Sequence, residues 1–470
     1  MTPDEFRRAG HAFIDWIADY RTRMESLPVM SQVKPGEIRA RFPKEPPQEG
    51  APLEQLLGPL ERDVLPGITH WNHPRFFAYF PSNGTLPGVL ADLAAAGLGP
   101  QCMSWQTSPA ATELEEVVLD WLRQMVGLPD AFTGVIQDTA STATLVALLC
   151  ARERTTDYGQ TRGGLQEMKA PLAIYASDQA HSSVEKAALL AGFGRACVRS
   201  IESDAEHAMK VDVLAAAMAD DAAHSLRPCA VVATCGSTAT TAMDPIARIA
   251  EVARNAGAWL HVDAAMAGTA MILPECRPLW HGVEAADSLV FNPHKWMGTG
   301  FDCSAYYVRD PQHLVRVMST NPSYLRTAHE GEVKNFRDWG IPLGRRFRAL
   351  KLWFLLHEQG VKGIQARIRR DLEHARWLKE QVDATSDWQR VAPVQLQTVC
   401  LRHLLPGRGA DAENVHNQGI AQRVNTSGVA YVTPSVLKGV QMIRVSIGAE
   451  ETRREHVEQV WAALQQAARA

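Results

Sequence analysis

A lysine at the end of an apolar run is the first residue in this 470-residue chain whose position suggests chemistry. Lys295 follows the run SLVF in the stretch SLVFNPHKWMGTGFDCSAYYV, and such a run is typical of a buried strand. A lysine held in a desolvated pocket has a lowered pKa and can act as an amine nucleophile. A lysine at a strand end can equally be structural, so Lys295 alone does not decide the function.

Two further polar groups stand against apolar runs. Asp263 lies within HVDAA, where burial of a carboxylate is costly unless it meets a cation, either an arginine or a cationic ligand. The stretch DTASTATLVALLCAR predicts a helix that begins with small hydroxyl residues. The first N–H groups of such a helix are either capped by those hydroxyls or bind an anion.

One ligand would use all three features together. Pyridoxal phosphate has an aldehyde that reacts with a lysine, a pyridinium nitrogen that pairs with a carboxylate, and a phosphate that suits a helix N-terminus. The combination is far more specific than any of its parts, and it predicts an enzyme that depends on pyridoxal 5'-phosphate.

Strand and helix patterns alternate from about residue 86 to 365. The runs APLAIYAS, CAVVATCG, WLHVDAA and DSLVFN predict buried strands, and HSSVEKAALLAG and DPIARIAEVARNAG predict helices, the second ending at Gly257. This alternation predicts an α/β fold with a mostly parallel sheet that is covered on both faces. Ligands of such sheets bind at the carboxyl ends of the strands, where Lys295, Asp263 and the start of the DTAS helix would lie.

Two segments flank this region. The first predicts an amphipathic helix over about residues 4 to 24 and then a proline-rich connector, which together must dock on the main body or on a second subunit. The last predicts a long charged helix, the strands LQTVCLRHL and MIRVSIG, and a final helix. We therefore expect an N-terminal helical arm (1–85), a large domain (86–365) and a smaller α+β C-terminal domain (366–470).

The composition argues against several classes of function. Apolar residues make up 46% and charged residues 21% of the chain, with a formal net charge of -4, which is typical of a globular enzyme and argues against a nucleic-acid partner. The longest weakly charged run is broken by Pro, Gly and polar residues, and the N-terminus has no apolar signal region, so we expect neither a membrane span nor secretion. The eight cysteines form no CxxC pair, which favours free thiols in the cytoplasm and no bound metal.

Seven blocks of the sequence resemble one family over essentially the whole chain. They are HPRFFAYFPS, SPAATELEEVVLDWL, GVIQDTASTATLVALLCAR, SDQAHSSVEKAALLAG, HVDAAMAG, FNPHKW and IPLGRRFRALKLW. In this order they resemble the pyridoxal-phosphate-dependent group II amino acid decarboxylases, most closely the aromatic L-amino acid (DOPA/tryptophan) decarboxylases. The resemblance implies a fold-type-I, aspartate-aminotransferase-like architecture. It also implies an obligate homodimer with the site at the subunit interface and the N-terminal arm wrapped around the partner.

The resemblance also implies a role for each cofactor-binding residue. Lys295 would bind the cofactor aldehyde, Asp263 would keep the ring nitrogen protonated so that the ring accepts electrons when CO2 leaves, and His181 would stack on the ring. The alternative interpretation of His181 is structural: it would stand at the start of a helix, since Ser182 and Glu185 have capping-box spacing. His181 can have both roles at once. The remaining contacts would be Ala265 on the other face of the ring, Thr238 beside Asp263, and Thr139, Ala140, Ser141, Asn292 and His294 at the phosphate.

Aromatic residues in HWNHPRFFAYFPS would receive the ring of an aromatic amino acid, although the stretch alone would indicate core packing. Met103 stands where such decarboxylases often carry phenylalanine, and Gly344 matches a position where small residues leave room for larger rings. DOPA, tryptophan, 5-hydroxytryptophan, tyrosine and phenylalanine all remain possible substrates. The implied substrate-binding residues are Trp71, Tyr79, Phe80, Pro81, Met103, Phe336 and Gly344.

The polar segment STNPSYLRTAHEGEVKNFRDWGIPLG is typical of a lid. In the family this lid carries a tyrosine that returns a proton to the substrate carbon after decarboxylation, and counting back from IPLGRRFR places Phe336 there. Phenylalanine cannot donate a proton, although His181 or a water could do so instead. We therefore expect an amine and CO2 as products, and as the alternative an aldehyde, ammonia and peroxide formed with molecular oxygen.

Two other classes of protein fit less well. A nicotinamide-dependent oxidoreductase would need a GxGxxG stretch after a strand, and the sequence has none. A catalytically inactive homologue kept as a binding protein would be expected to have lost Lys295 or Asp263, and both are present.

Overall fold

The computed structural model describes residues 1–81, 84–320, 329 and 331–470. The chain divides into two compact units. The core unit contains Ser82–Ala375 and Ala392–Val399, and the flanking unit contains Met1–Pro81, Arg376–Val391 and Cys400–Ala470. The three-segment division expected from the sequence, at residues 85/86 and 365/366, stays a prediction.

A seven-stranded sheet forms the centre of the core unit, and its strands follow the order β1-β7-β6-β5-β4-β2-β3. Strand β7 is antiparallel to both of its neighbours, and the other pairs are parallel. The mostly parallel sheet is therefore confirmed, and the carboxyl ends of β1, β4, β5 and β6 lie at the same end of it. In chain order the strands are β1 (Thr133–Gln137), β2 (Leu172–Ser177), β3 (Val198–Ile201), β4 (Arg227–Thr234), β5 (Trp259–Asp263), β6 (Ser288–Phe291) and β7 (Ser304–Val308).

The strands form where the sequence has apolar runs. Every residue of β2, β5, β6 and β7 is buried, as expected for strands of a sheet that is covered on both faces. Helix α5 is also buried on most sides, packing its small residues Ala143 and Ala147 into the core around the sheet. A helix of this kind has no polar stripe, because it has little contact with water.

A second, four-stranded sheet follows the order β10-β11-β9-β8, with antiparallel pairs β10–β11 and β8–β9. Its strands are β8 (Trp388–Arg390), β9 (Thr398–His403), β10 (Thr433–Leu437) and β11 (Val440–Ser446). The two strands predicted from LQTVCLRHL and MIRVSIG correspond to β9 and β11, which confirms a separate small sheet formed by the last part of the chain.

Most helices predicted from the sequence begin and end close to the expected residues, but the long charged helix expected after about residue 366 is the second part of α10, which begins at Ala349. The N-terminal helix starts with a capping box between Thr2 and Glu5. Gly257, with φ +67°, follows α8 as predicted, and α10 is interrupted at Gly360. The helices are α1 (Pro3–Arg23), α2 (Leu57–Pro59), α3 (Leu86–Leu98), α4 (Pro109–Met125), α5 (Ala140–Thr155), α6 (Ser182–Leu190), α7 (Val211–Ala223), α8 (Ile246–Asn255), α9 (Pro311–Met318), α10 (Ala349–Ala384), α11 (Ala410–Thr426) and α12 (Arg454–Arg469).

The sequence also led to expectations about membrane-spanning helices and about the cysteines. Among the helices of the described residues, none is long and apolar enough to cross a membrane. All eight cysteines are free thiols, and all but Cys197 are buried.

A buried ion pair anchors β1 to the rest of the core unit. The side chains of Glu115 and Arg345 are 2% and 5% exposed, and Arg345 Nη2 lies 2.7 Å from Glu115 Oε1. The backbone N–H of Ile136 donates to Glu115 Oε1 at 2.9 Å, and Arg345 Nη2 donates to Ile136 O at 2.7 Å. The pair therefore holds the strand that leads into α5.

We expect Glu115→Ala to lower the free energy of unfolding by about 3–5 kcal/mol, because it leaves the Arg345 charge buried without its partner. Urea unfolding followed by circular dichroism measures the change. The matched control is Glu116→Ala, whose more exposed carboxylate pairs with Lys334 at 3.1 Å and should cost less than about 1 kcal/mol. Equal losses in the two variants would contradict this prediction.

Candidate active site

The residues expected to bind a cofactor lie at one end of the central sheet. Asp263 is the last residue of β5, and Thr139 is the N-cap of α5, directly after β1. Lys295 lies in the turn Pro293–Met297 after β6, and Thr238 lies in the loop after β4, where it is exposed. The sheet topology brings these four places to the same end because β1, β4, β5 and β6 run in one direction.

Asp263 is a buried carboxylate with little compensation. It is 5% exposed, and its Oδ1 accepts one hydrogen bond, from the Ala265 backbone N–H at 3.0 Å. Within the part of the chain that the structure describes, Asp263 forms no ion pair, so the alternative of an arginine partner is not realised there. Beside it, the hydroxyl of Thr234, its partner in the β4–β5 register, is buried without a hydrogen bond to any described residue. A ligand that brings a cationic nitrogen and a polar group would satisfy both side chains.

The start of α5 offers unused hydrogen-bond donors. Thr139 Oγ1 accepts from the Thr142 N–H at 3.4 Å, while the N–H groups of Ala140 and Ser141 have no acceptor among the described residues. Free N–H groups at a helix N-terminus, together with the helix dipole, suit a phosphate. The sequence left capping and anion binding open, and the structure has room for both, since the cap uses only one donor.

The turn that carries Lys295 is tied to its surroundings through the backbone. The Lys295 N–H donates to Asn292 O at 2.9 Å, and the Asn292 N–H donates to Ala265 O at 2.8 Å. The Cys303 N–H donates to His294 Nδ1 at 2.9 Å. Lys295, Asn292 and Ala265 are thus parts of one continuous backbone arrangement next to Asp263.

Ser304 and Asp138 connect this turn to the start of α5, and the sequence had not singled them out. Ser304 Oγ donates to Asn292 Oδ1 at 2.7 Å and also lies 3.3 Å from Asp138 O. Ser304 occupies this place because β7 runs antiparallel between β1 and β6. No local pattern predicts that insertion, so Ser304 carried no signal in the sequence.

The charges of Asp263 and Lys295 both act on His181. Partial burial, the largest cause, lowers the pKa of His181 below its usual value, while the charge of Asp263 raises it and that of Lys295 lowers it. His181 itself is the N-cap of α6, since its Nδ1 accepts from the Ser183 N–H at 3.2 Å. The interpretation of His181 as a helix-entry residue is therefore confirmed, but the cap is the imidazole itself and not a capping box through Ser182 and Glu185.

Two buried histidines make the folded protein less stable in acid. Burial, helped by the charge of Lys295, lowers the pKa of His294 to about 4. Burial also lowers the pKa of His261 to about 4, against the raising effect of Asp263. In the unfolded chain a histidine titrates near pH 6.5, so between there and pH 4 the unfolded state binds protons that the folded state does not. Stability is therefore lost as the pH falls through this window.

We expect His294→Gln to flatten this dependence by up to about 1.4 kcal/mol per pH unit, because one proton-binding difference is removed. Urea unfolding of the apo-protein at several pH values inside the window measures the slope. Replacement of His11, which is exposed on α1, by glutamine is the control and should leave the slope as it is. An unchanged slope in His294→Gln would contradict the expectation.

Phe336 requires a correction. Its side chain is 1% exposed, packs edge-on against Trp339 with ring centroids 5.8 Å apart, and lies under the Arg345 guanidinium. A ring fixed in the core of the unit cannot occupy a lid that closes over a substrate. The predicted lid segment comprises residues 319–344. Of these, residues 321–328 and 330 lie outside the described residues, and Tyr324, the only tyrosine in the sequence of the segment, is among them.

Met103 and Gly344 lie on neighbouring backbone segments of the core unit. The Arg337 N–H donates to Met103 O at 2.8 Å. Gln101, two residues before Met103, accepts from the Arg345 N–H at 2.7 Å, and a Cβ added to Gly344 would lie 3.3 Å from its Nε2. Their contact with a substrate stays a prediction.

The four implied substrate-binding residues of the stretch HWNHPRFFAYFPS belong to the flanking unit. Trp71 and Tyr79 stack with ring centroids 5.6 Å apart and are 39% and 48% exposed. Phe80 is buried beneath the Arg444 guanidinium, and Pro81 ends this segment of the unit. The role of Trp71, Tyr79, Phe80 and Pro81 in holding a substrate ring likewise stays a prediction.

The sequence itself identifies the family. Residues 35–404 match the sequence model of the pyridoxal-dependent decarboxylase conserved domain. The chain belongs to this family. Its cofactor is pyridoxal 5'-phosphate, and the protein is a decarboxylase-family enzyme with the fold-type-I architecture of its solved relatives.

Several relatives of this decarboxylase are similar over nearly their full length. This chain is 40% identical over 484 residues to the aromatic-L-amino-acid decarboxylase of Cavia porcellus, and the match covers 100% of this chain and 98% of the relative. It is 38% identical over 479 residues to the phenylacetaldehyde synthase of Arabidopsis thaliana, covering 100% and 96%. The solved structure of Oryza sativa TDC with PLP and tryptamine superimposes with a TM-score of 0.97 at 37% identity, covering 100% of this chain and 98% of that one.

The described residues fit the cofactor of this family. The uncompensated carboxylate of Asp263 suits its ring nitrogen, and the free N–H groups of Ala140 and Ser141 suit its phosphate. The turn of Lys295 follows the strand next to that of Asp263.

Proposed function

We propose that this enzyme decarboxylates an aromatic L-amino acid to the corresponding amine and CO2. The observation that carries the proposal is the buried Asp263 carboxylate, which has no ion pair among the described residues and whose charge, like that of Lys295, acts on His181. The names of the relatives support an aromatic substrate, since one is an aromatic-L-amino-acid decarboxylase and another was solved with tryptamine. DOPA, tryptophan, 5-hydroxytryptophan, tyrosine and phenylalanine are the candidates.

Each residue near the sheet end has a defined task in this proposal. When bound, the cofactor accepts the electrons that decarboxylation leaves on the substrate. Lys295 holds the cofactor covalently through its amine, and Asp263 holds the proton on the ring nitrogen by its negative charge. His181 would pack on the face of the ring. The remaining contacts are Ala265 and Thr238 at the ring, and Thr139, Ala140, Ser141, Asn292 and His294 at the phosphate.

We also propose a cytoplasmic homodimer with the site at the subunit interface. Support comes from apolar side chains that the single chain leaves exposed. In the core unit Leu86, Leu90 and Trp353 are 46%, 49% and 41% exposed around a cavity of about 570 Å³. On α1, Phe6 is 58% exposed. Burial of such surfaces against a second copy is favourable, and sedimentation velocity should give a dimer at micromolar concentration. A monomer would contradict this part.

A second candidate function is oxidative conversion of the same substrates to an aromatic acetaldehyde. The similarity to a phenylacetaldehyde synthase favours it. The buried position of Phe336 weakens it, because the residue that suggested loss of the proton donor is not at a lid position.

One assay separates the two functions. The purified holoenzyme is incubated with each candidate amino acid in air and without oxygen, and amine, aldehyde, CO2 and peroxide are quantified. Decarboxylation predicts amine and CO2 in equal amounts in both conditions. Stoichiometric peroxide with little amine in air would overturn the decarboxylase proposal in favour of oxidation. Absence of CO2 with every substrate would overturn both.

A further inference from the structure

A buried histidine links the two places at which the chain would hold the ends of the cofactor. His261 lies in β5, two residues before Asp263 and therefore on the same face of the strand. Its Nδ1 lies 2.9 Å from Ser288 Oγ on β6, and its Nε2 lies 3.5 Å from Thr144 Oγ1 on α5. One side chain thus joins the strand that ends in Asp263 to the helix whose N-terminus would bind the phosphate.

The contacts of His261 leave it little freedom to move. His261, Ser288 and Thr144 are all 0% exposed. Trp259 Nε1 donates to the same Ser288 Oγ at 2.8 Å, so the serine is itself fixed. Thr144 lies about one helical turn beyond Ala140, close to the free N–H groups at the start of α5. Buried hydrogen-bonded groups of this kind specify one arrangement, because any displacement leaves a polar atom without a partner.

A direct chemical role for His261 does not fit its surroundings. Its ring is fully buried beneath the sheet end, and burial holds it in the neutral form near pH 7. A neutral imidazole adds no positive charge beside Asp263, so the carboxylate keeps its full attraction for a cationic ring nitrogen. What remains for His261 is to set the position of neighbouring groups.

On the basis of the proposed function, we propose that His261 is a positioning residue that fixes the distance between Asp263 and the N-terminus of α5, so that one cofactor molecule engages both. The cofactor is short, its ring is rigid and only the linkage to the phosphate can rotate, so the ring nitrogen and the phosphate can follow shifts of their anchors only within a narrow range. Binding through two anchors is stronger than through one only when both are reached at once.

The test compares two ligands of the apo-enzyme. Dissociation constants of pyridoxal 5'-phosphate and of pyridoxal, which lacks the phosphate, are measured by fluorescence titration for the wild type and for His261→Gln. We expect the ratio of the two constants, which reports the benefit of the phosphate, to fall about tenfold in the variant, because two-anchor binding is impaired. A residue that only stabilises the fold would weaken both ligands equally, and an unchanged ratio would overturn the inference.

His313→Gln is the matched control. His313, on α9, is 7% exposed and also contacts α5, with its Nε2 2.9 Å from Cys150 O. Its ring packs on that of Trp259, at the end of β5 remote from Asp263, with ring centroids 5.6 Å apart. Its loss should destabilise the fold and leave the ratio as in the wild type. A fall in this control as large as in His261→Gln would also overturn the inference.

A second variant covers the case in which His261→Gln does not fold. Thr144→Val keeps the shape of the side chain and removes only the contact with α5, and the same ratio should fall about threefold. No fall would overturn the inference. If the wild type bound pyridoxal as tightly as pyridoxal 5'-phosphate, the phosphate site at α5 would fail first, and that failure of the proposed function is visible without any variant.

Discussion

Replacement of Lys295 by alanine should leave the purified protein without the visible absorbance of its cofactor and lower kcat by at least about a thousandfold. Lys295 follows β6, beside the strand that ends in Asp263, and its charge acts on both His181 and His294. Removal of the amine takes away the covalent anchor of the cofactor, and no other group identified at this end of the sheet replaces it. Absorbance spectra and kcat with the preferred amino acid measure the loss.

Borohydride reduction followed by peptide mass analysis identifies the anchoring lysine directly. The control is Lys351→Ala, since Lys351 is also buried, at 3% exposure, and its Nζ donates to Gly300 O at 3.2 Å. This variant should be less stable and should still carry the cofactor on Lys295. Labelling of any other lysine in the wild type, or of the Lys295→Ala protein, would contradict the assignment.

Replacement of Tyr324 by phenylalanine should lower amine formation about a hundredfold and divert product to aldehyde and peroxide, since a general acid contributes about that factor. Tyr324 is the only tyrosine in the lid segment of the sequence, and a phenol can donate the proton that phenylalanine cannot. The burial of Phe336 leaves Tyr324 as the phenol that this segment can offer.

Phe336→Tyr is the informative counterpart. It should leave the products unchanged and lower the free energy of unfolding by about 1–3 kcal/mol, because a hydroxyl enters an apolar core. Amine, aldehyde and peroxide are quantified for both variants in air. If the wild type forms aldehyde, or if Phe336→Tyr gains amine formation at the expense of aldehyde, the prediction from the sequence that Phe336 occupies the lid position of the proton donor would stand after all.

The sequence predicted those parts of the fold that depend on local patterns. The apolar runs of β2, β4, β5 and β6 and the glycine after α8 were identified correctly, because burial and chain reversal follow from side chains within a few residues. The same holds for Asp263 and Lys295, which interrupt or follow such runs.

Features that depend on distant partners could not be predicted. Whether Asp263 meets an arginine is decided by tertiary structure, and the sequence left that question open. The register of β7 between β1 and β6 joins residues about 170 positions apart, so Ser304 gave no signal. Counting residues from a motif placed Phe336 in a lid, but counting carries no information about burial.

The insertion of β7 between β1 and β6 also determines when, during synthesis, the nascent chain can first bind its cofactor. The start of α5 is made early, yet Ser304, which joins it to the turn of Lys295, emerges only after more than a third of the polypeptide has followed β1. Pairings between such remote segments form slowly, since a long loop must close first. During synthesis on the ribosome, the binding site for the vitamin B6 derivative is therefore incomplete until the segment through Val308 has left the exit tunnel.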